Sequence, residues 1–242
     1  MFGNNPIRSA TSDPDHLAVE GMFYTLQGEG PYSGSPALFI RLAGCNLACH
    51  FCDNQFETQA EVLTPLDEVM DKVTWITKRD QRKLVVLTGG EPLRQNCVKL
   101  IQMLLDSGTE IVQIETAGTL WQMGLEAYVE SGQVVLVCSP KTPNLNLYVR
   151  HLCHHWKYII REGEVSDIDG LPIAGTQPAT KNKGQVLYRI DQHDRPTDTI
   201  WVSPCDSYDP KANAVNTTLA RDIALQYGYR LSLQIHKLVG VE

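Results

Sequence analysis

Seven short runs rich in β-branched and other apolar residues recur along the chain, and longer polar or amphipathic segments separate them. The runs cover residues 36–44, 83–88, 110–116, 133–139, 157–160, 199–203 and 229–235. Runs of this length and composition are typical of buried β-strands. Because they alternate with helical patterns, we expect an α/β fold with a mainly parallel sheet, either open or curled into a partial TIM-type barrel.

The clearest helical patterns occupy residues 64–78, 95–107 and 211–227. We expect Thr64 to cap the first helix, and Gly108 and Gly228 to follow the second and third. One face of the first helix is apolar, formed by Leu66, Val69, Met70, Val73 and Ile76. In folds of this type the residues after each strand are the candidates for chemistry.

The chain of 242 residues is long enough for one large domain but not for two. Residues 1–14 contain two prolines, two adjacent asparagines and no apolar periodicity, which indicates a mobile arm before a domain at 15–242. Residues 161–184 are rich in glycine, proline and polar residues. We expect a surface insertion there.

Charge and hydropathy argue against two kinds of partner. The net charge of −7 opposes non-specific binding of nucleic acid, and no apolar run is long enough to span a membrane. The first residues lack the pattern of a secretory signal, so we expect a cytoplasmic protein. Seven cysteines in a reducing compartment favour metal binding or burial over disulfides.

Three of the cysteines, Cys45, Cys49 and Cys52, lie in one short loop directly after the strand predicted at 36–44. Such a loop can fold its thiolates around one metal centre. Iron–sulfur clusters usually have four cysteine ligands, so three would leave one iron of a 4Fe–4S cluster open to a cofactor. A zinc site is the alternative, with His50, His154 or Cys153 as the fourth ligand.

This cysteine spacing resembles the radical S-adenosylmethionine (SAM) superfamily, in which the open iron binds the amino and carboxylate groups of SAM. The resemblance places Phe51 near the adenine and Glu115 at the rim of the SAM pocket. It implies further SAM contacts at Gly89, Gly90 and Glu91 for the amino group and at Ser139 and Lys141 for the carboxylate or ribose.

Residues 23–31, 39–45 and 230–237 resemble the 7-carboxy-7-deazaguanine synthase family of this superfamily, in matching order. The resemblance implies a pterin substrate that pairs its guanidine-like edge with Gln27 and Glu29. Arg41 would hold the carboxylate as a bidentate fork, and His236 would donate to a ring or carboxylate oxygen. The family commonly has threonine where this chain has Asn54, at a Mg²⁺ ligand position, and we expect weaker Mg²⁺ binding here.

The family's reaction converts 6-carboxy-5,6,7,8-tetrahydropterin to 7-carboxy-7-deazaguanine, with loss of ammonia, for queuosine or deazapurine biosynthesis. The resemblance implies that the reduced cluster cleaves SAM to a radical, that SAM is regenerated, and that no side-chain acid or base is required. It also implies an electron donor such as flavodoxin or ferredoxin, and a homodimer.

Two alternative functions remain open at this point. A glycyl-radical-enzyme activase shares the cysteine spacing but acts on a partner protein. It would not be expected to carry the Gln27–Glu29 segment and the His236–Lys237 pair. A non-enzymatic zinc-binding module would use the cysteine loop as a structural staple.

Overall fold

A computed structural model describes residues 6–52, 62–78, 81–176, 188–190 and 199–241. Its strands are β1 (His16–Leu26), β2 (Pro36–Leu42), β3 (Leu63–Pro65), β4 (Leu84–Gly89), β5 (Ile111–Thr116), β6 (Val134–Cys138), β7 (His155–Ile160), β8 (Ile200–Pro204) and β9 (Arg230–Leu231). The helices of the described residues are α1 (Leu66–Ile76), α2 (Val98–Asp106), α3 (Glu126–Glu130), α4 (Leu147–Leu152), α5 (Pro210–Tyr227) and α6 (Ile235–Val239).

All these strands belong to one sheet, in the order β3-β1-β2-β4-β5-β6-β7-β8-β9. The strands from β2 to β9 in this order run parallel, whereas β1 is antiparallel to both of its neighbours. Parallel strands carry their carboxyl ends to the same edge, so the loops that follow them meet there. The predicted α/β architecture is confirmed.

The two ends of the sheet approach each other. The backbone N–H of Gly30, after β1, donates to Ser232 Oγ, after β9, at 3.0 Å. The Ile235 N–H donates to the Gly28 carbonyl at 3.2 Å. Since β1 and β9 lie near opposite ends of the strand order, these contacts require the sheet to curl. The fold is therefore a partial barrel in which polar contacts join the two ends of the sheet.

The core lies between the sheet and the helices. Leu66, Val69 and Val73 of α1 are buried, and the partly buried Met70 and Ile76 pack against the same cluster, so the predicted apolar face is confirmed. The central strands contribute fully buried residues such as Val85 and Leu87. Among the described residues no helix is both long enough and apolar enough to cross a membrane.

Several predicted boundaries were wrong. Strand β1 was missed because Glu20 and Gly21 interrupt its apolar pattern, where the pairing with β2 shifts register. Thr64 does not cap α1. It belongs to β3 and pairs with Leu17 of β1, and Pro65 takes the cap position without a side-chain hydrogen bond. The strand predicted at 229–235 stops after two residues, and α6 begins at Ile235.

The described part of the predicted arm contacts the cysteine loop. Ile7 forms a bridge with Cys45, and the Arg8 N–H donates to the Cys45 carbonyl at 2.8 Å. Arg94, almost fully buried, donates to the carbonyls of Ser9 and Ala43. Residues 7–11 therefore lie alongside the loop that follows β2.

The described part of the predicted insertion, residues 161–176, consists mainly of turns, with one bridge between Val165 and Pro172. It packs on the end of α5, where the Tyr227 hydroxyl donates to the Asp167 carbonyl at 3.1 Å. Its last described residue, Thr176, reaches the cysteine loop.

Candidate active site

A cleft of about 320 Å³ lies at the carboxyl edge of the sheet. Most of the residues that the sequence singled out line this one cleft. They are Gln27, Glu29, Arg41, Cys45, Cys49, Phe51, Cys52, Gly89, Gly90, Ser139, Lys141 and His236. The structure therefore gathers residues that are up to 209 positions apart, from Gln27 to His236.

The cysteine loop forms one wall of the cleft. Cys45, Cys49 and Cys52 are partly exposed to it, and all are free thiols. Burial, helped by the charges of Glu91, Cys49 and Cys52, raises the pKa of the Cys45 thiol to about 12, although the Leu47 N–H opposes the shift. Three clustered thiolates need a cation to neutralise them. The loop therefore fits a cationic cluster.

Two of the alternative zinc ligands, His154 and Cys153, contact other segments of the chain. The His154 ring accepts the Leu136 N–H of β6, and the buried Cys153 thiol donates to the carbonyl of His155, the first residue of β7. His50 adjoins the cysteines but is exposed. In the described part of the chain no three His, Cys, Asp or Glu side chains are grouped as ligands of a single metal ion. Cysteines of an iron–sulfur cluster bind different irons and lie farther apart.

Gly89 and Gly90 line the cleft, but their lack of side chains serves the packing of the protein itself. A Cβ on Gly89, where φ is +132°, would lie 2.0 Å from the Leu42 carbonyl oxygen. A Cβ on Gly90 would lie 2.2 Å from the Gly44 oxygen. The glycines let β4 approach the cysteine loop, and the Gly90 N–H donates to the Leu42 carbonyl at 3.2 Å.

The Glu91 side chain, predicted to meet SAM, does not line the cleft. It is fully buried and accepts hydrogen bonds from the Leu93 N–H, the Thr116 hydroxyl and the Ala117 N–H, at 2.8–3.0 Å. Burial raises the pKa of this carboxyl, although these hydrogen bonds oppose the shift. Glu91 thus holds the end of β5 in place beneath the cleft.

Ser139 and Lys141 follow β6, and Lys141 lies beside Phe51 in the cleft. Lys141 Nζ donates to Ser139 Oγ at 2.5 Å and lies 5.7 Å from the centre of the Phe51 ring. The aromatic face and the ammonium group therefore stand on one side of the cleft, beside the cysteines. This arrangement suits a ligand with both a flat ring and a carboxylate.

The other side of the cleft contains a buried charge network around Lys157. Its ammonium donates to Glu29 Oε2 and to Glu115 Oε2, at 2.6 Å each. Burial would lower the pKa of Lys157, but the two carboxylates outweigh it and raise the pKa. Burial likewise opposes ionisation of Glu29, yet Lys157 lowers the pKa of that carboxyl. Lys157 and Glu29 are therefore both charged at neutral pH.

Two amides complete this network. Gln27 Nε2 and Gln113 Nε2 both donate to Glu115 Oε1, at 3.1 and 2.9 Å. The Gln27 side-chain oxygen accepts the Glu29 N–H at 3.1 Å. Since Glu115 is occupied by protein donors, Glu29 is the acid of the pair that has fewer protein partners. The sequence assigned Glu115 only to a rim and missed Lys157, which looked like the polar end of a strand.

His236 reaches the cleft from α6 and packs on Gly28. A Cβ on Gly28 would lie 1.8 Å from His236 Nδ1, so only glycine leaves room for the ring. Burial lowers the pKa of His236, with Glu29 opposing the shift. Lys237 Nζ donates to Asp206 Oδ2, after β8, at 2.5 Å, which ties α6 to the rim.

Arg41, on β2, also lines the cleft, with its guanidinium 5.5 Å from the centre of the Phe23 ring. Glu20 lies near enough for the Arg41 charge to oppose the rise that burial causes in the Glu20 pKa. Arg41 is half-buried. The predicted Mg²⁺ ligand, Asn54, lies outside the described residues.

Comparison with known proteins agrees with this geometry. Residues 39–162 match the Radical SAM superfamily, and that segment runs from β2 through the cysteine loop to the end of β7. The crystal structure of QueE from Escherichia coli superposes with a TM-score of 0.62 at 22% identity, covering 90% of this chain and 94% of that one. Fold, cysteine loop and match define the chain as a radical SAM protein.

Two curated relatives identify the family within that superfamily. The 7-carboxy-7-deazaguanine synthase of Rhodospirillum rubrum is 40% identical over 252 residues, covering all of both chains. That of Rickettsia prowazekii is 39% identical over 253 residues, covering 100% of this chain and 96% of the relative. The chain belongs to the 7-carboxy-7-deazaguanine synthase family.

Proposed function

We propose that the protein converts 6-carboxy-5,6,7,8-tetrahydropterin to 7-carboxy-7-deazaguanine with loss of ammonia, in queuosine or deazapurine biosynthesis. One observation carries the assignment: a single cleft joins a three-cysteine loop on one side to a buried carboxylate–ammonium network on the other. Full-length similarity to named synthases supports it. It is the predicted reaction, and neither the activase nor the zinc module is needed to explain the site.

The cysteine side of the cleft is assigned to the cofactors. Cys45, Cys49 and Cys52 would hold a 4Fe–4S cluster, and Phe51, Ser139, Lys141 and the backbone of Gly89–Gly90 would surround SAM. When bound, the reduced cluster and SAM supply the radical that starts the reaction. We assign Glu91 a positioning role, because its carboxylate is enclosed by protein donors.

The opposite side is assigned to the pterin. Glu29 accepts two hydrogen bonds from the guanidine-like edge of the ring, in an ionised state that Lys157 maintains. Gln27 lies next to it, Arg41 binds the carboxylate, and His236 donates to an oxygen. These residues bind and orient the substrate, and none of them needs to act as a nucleophile.

We also propose a Mg²⁺ ion at Asn54 that bridges to the substrate carboxylate. An amide oxygen is a hard ligand that Mg²⁺ accepts, but it extends one bond farther than a threonine hydroxyl. Turnover should therefore rise with Mg²⁺, and Asn54→Thr should lower the Mg²⁺ concentration needed. Turnover that ignores both Mg²⁺ and a chelator in either protein would retire this metal site.

Three properties of the working protein belong to the same proposal. An external one-electron donor such as flavodoxin or ferredoxin reduces the cluster. The protein acts in the cytoplasm and as a homodimer.

The decisive experiment incubates anaerobically reconstituted, reduced protein with SAM and carboxytetrahydropterin, and follows the deazaguanine by mass spectrometry. Cys45→Ala, Cys49→Ala and Cys52→Ala should each lose cluster and turnover, whereas Cys97→Ala, Cys138→Ala and Cys153→Ala should keep about four irons per chain. Colourless protein that binds zinc but no iron would support the zinc module instead. Radical transfer to a protein glycine, without deazaguanine, would support the activase.

A further inference from the structure

Thr176 makes a side-chain contact with a cysteine of the candidate cluster site, from a segment 127 residues away along the chain. Its hydroxyl donates to Cys49 Sγ at 3.0 Å. The Cys45 sulfur, by contrast, accepts the N–H of Leu47 within its own loop, at 3.4 Å. The Cys49 contact therefore depends on a side chain that substitution can remove.

The backbone of Thr176 fixes the position of this hydroxyl. Its N–H donates to the Lys141 carbonyl at 3.1 Å, and its carbonyl accepts the His50 N–H at 3.0 Å. The His50 ring nitrogen Nδ1 lies 3.0 Å from the same carbonyl oxygen. Thr176 is only 6% exposed. It therefore links the loop after β6 to the cysteine loop and is held from both sides.

The hydroxyl has two possible acceptors, and charge decides between them. The Lys141 carbonyl lies 3.5 Å away, compared with 3.0 Å for Cys49 Sγ. Once Cys49 is a thiolate ligand, it is the negatively charged acceptor, and hydrogen bonds to ionised acceptors are the stronger ones. The hydroxyl proton then points to the sulfur.

A hydrogen bond to a ligand sulfur stabilises the state of a cluster that carries more negative charge, which is the reduced state. Hydrogen bonds to the sulfurs and solvent exposure are among the features that set cluster potentials. We propose that Thr176 is a positioning residue that raises the reduction potential of the cluster held by Cys49, and so eases its reduction by the electron donor. This inference rests on the cluster assignment made above.

The test is an anaerobic redox titration of the reconstituted protein without SAM, followed by electron paramagnetic resonance. Thr176→Val keeps the shape but loses the donor. At a given potential it should show an oxidised-to-reduced ratio about tenfold higher, a shift of about 59 mV to lower potential for a one-electron couple. Thr176→Ser keeps the hydroxyl and should restore most of the parent potential.

Thr142→Val is the matched control. Thr142 is also 6% exposed and is the neighbour of Lys141, whose carbonyl Thr176 contacts. Its hydroxyl donates to the Asn144 carbonyl at 3.0 Å and not to a sulfur. Its potential should equal that of the parent.

An unchanged potential in Thr176→Val with full iron content would overturn the proposal. If that variant binds less iron, Thr176→Ala takes its place. Loss of iron from both would show a structural role only, and would also overturn the proposal. The cluster assignment itself is judged separately, by the iron content of the parent protein.

Discussion

Lys157 shows how much the substrate side of the cleft depends on one side chain. It lies between Glu29 and Glu115, and both carboxylates are mostly shielded from water. Without the ammonium, two acids would face each other across a buried site. Glu29 then could not stay ionised, as its proposed role as a hydrogen-bond acceptor for the substrate requires.

Lys157→Met should therefore destabilise the protein by about 3–5 kcal/mol near pH 8, the usual cost of leaving buried charges unpaired. In the variant, burial without the ammonium raises the folded-state pKa of Glu29 above its unfolded value, so the loss of stability grows as pH rises above that unfolded pKa. The loss should thus shrink near about pH 5. Anaerobic urea unfolding followed by circular dichroism measures both.

Lys83→Met is the control for this prediction. Lys83 pairs with Glu110 at 3.0 Å, but both side chains are more than 60% exposed. Such surface pairs contribute about 0–1 kcal/mol. An equal loss of stability in the two variants would contradict the buried-network explanation.

Arg41 tests the division of the cleft into two sides. Arg41→Met should weaken binding of the pterin by about 2–5 kcal/mol, the usual loss when one partner of a buried charge pair is removed. Uncoupled cleavage of SAM should persist, because the arginine is proposed to bind only the substrate. Binding and SAM cleavage can be measured separately, and unchanged pterin affinity would remove Arg41 from the site.

Among the elements, the junction between the β1 loop and α6 controls where His236 lies. The ring occupies the space that a Gly28 side chain would take, and the Ile235 N–H donates to the Gly28 carbonyl. The N-terminal strand therefore positions a residue from the last helix. Neither segment alone carries this information.

Gly28→Ala should push the His236 ring out of place and raise the apparent KM for the pterin about tenfold or more, while iron content stays the same. Gly21→Ala, within β1, is the control, since a Cβ there has no atom within 4 Å. It should stay within about twofold of the parent. A similar KM in both variants would mean that the ring adjusts to the methyl group without loss.

At the scale of the whole molecule, the two ends of the sheet are joined by a few polar contacts and not by strand pairing. The amides of Gly30 and Ile235 depend on these contacts, whereas those of β4 and β5 lie within continuous sheet. Hydrogen exchange should therefore be faster at Gly30 and Ile235 than in β4 and β5. SAM together with the pterin should slow exchange there and leave β4 and β5 unchanged. Equal exchange rates in all these segments, both with and without ligands, would contradict local opening between the two ends of the sheet.

The sequence was sufficient for the parallel sheet and the cysteine loop because both are local patterns: apolar runs, and three cysteines within eight residues. It was insufficient for β1, where a register shift breaks the alternation. Lys157 could not be found because its partners are 128 and 42 residues away. Glu91 was assigned by motif, but its burial depends on hydrogen bonds from the end of β5 that no local pattern contains.

The tight packing of Gly89 and Gly90 against Leu42 and Gly44 also limits how this cysteine loop could be engineered into another protein. A designer who grafted residues 44–52 onto the end of one parallel strand would meet a neighbouring strand that carries side chains. A Cβ on that strand would lie only 2.0–2.2 Å from backbone oxygens at the start of the loop. The loop would therefore be pushed outward. The transplantable module is two adjacent strand ends, with the pair of glycines included.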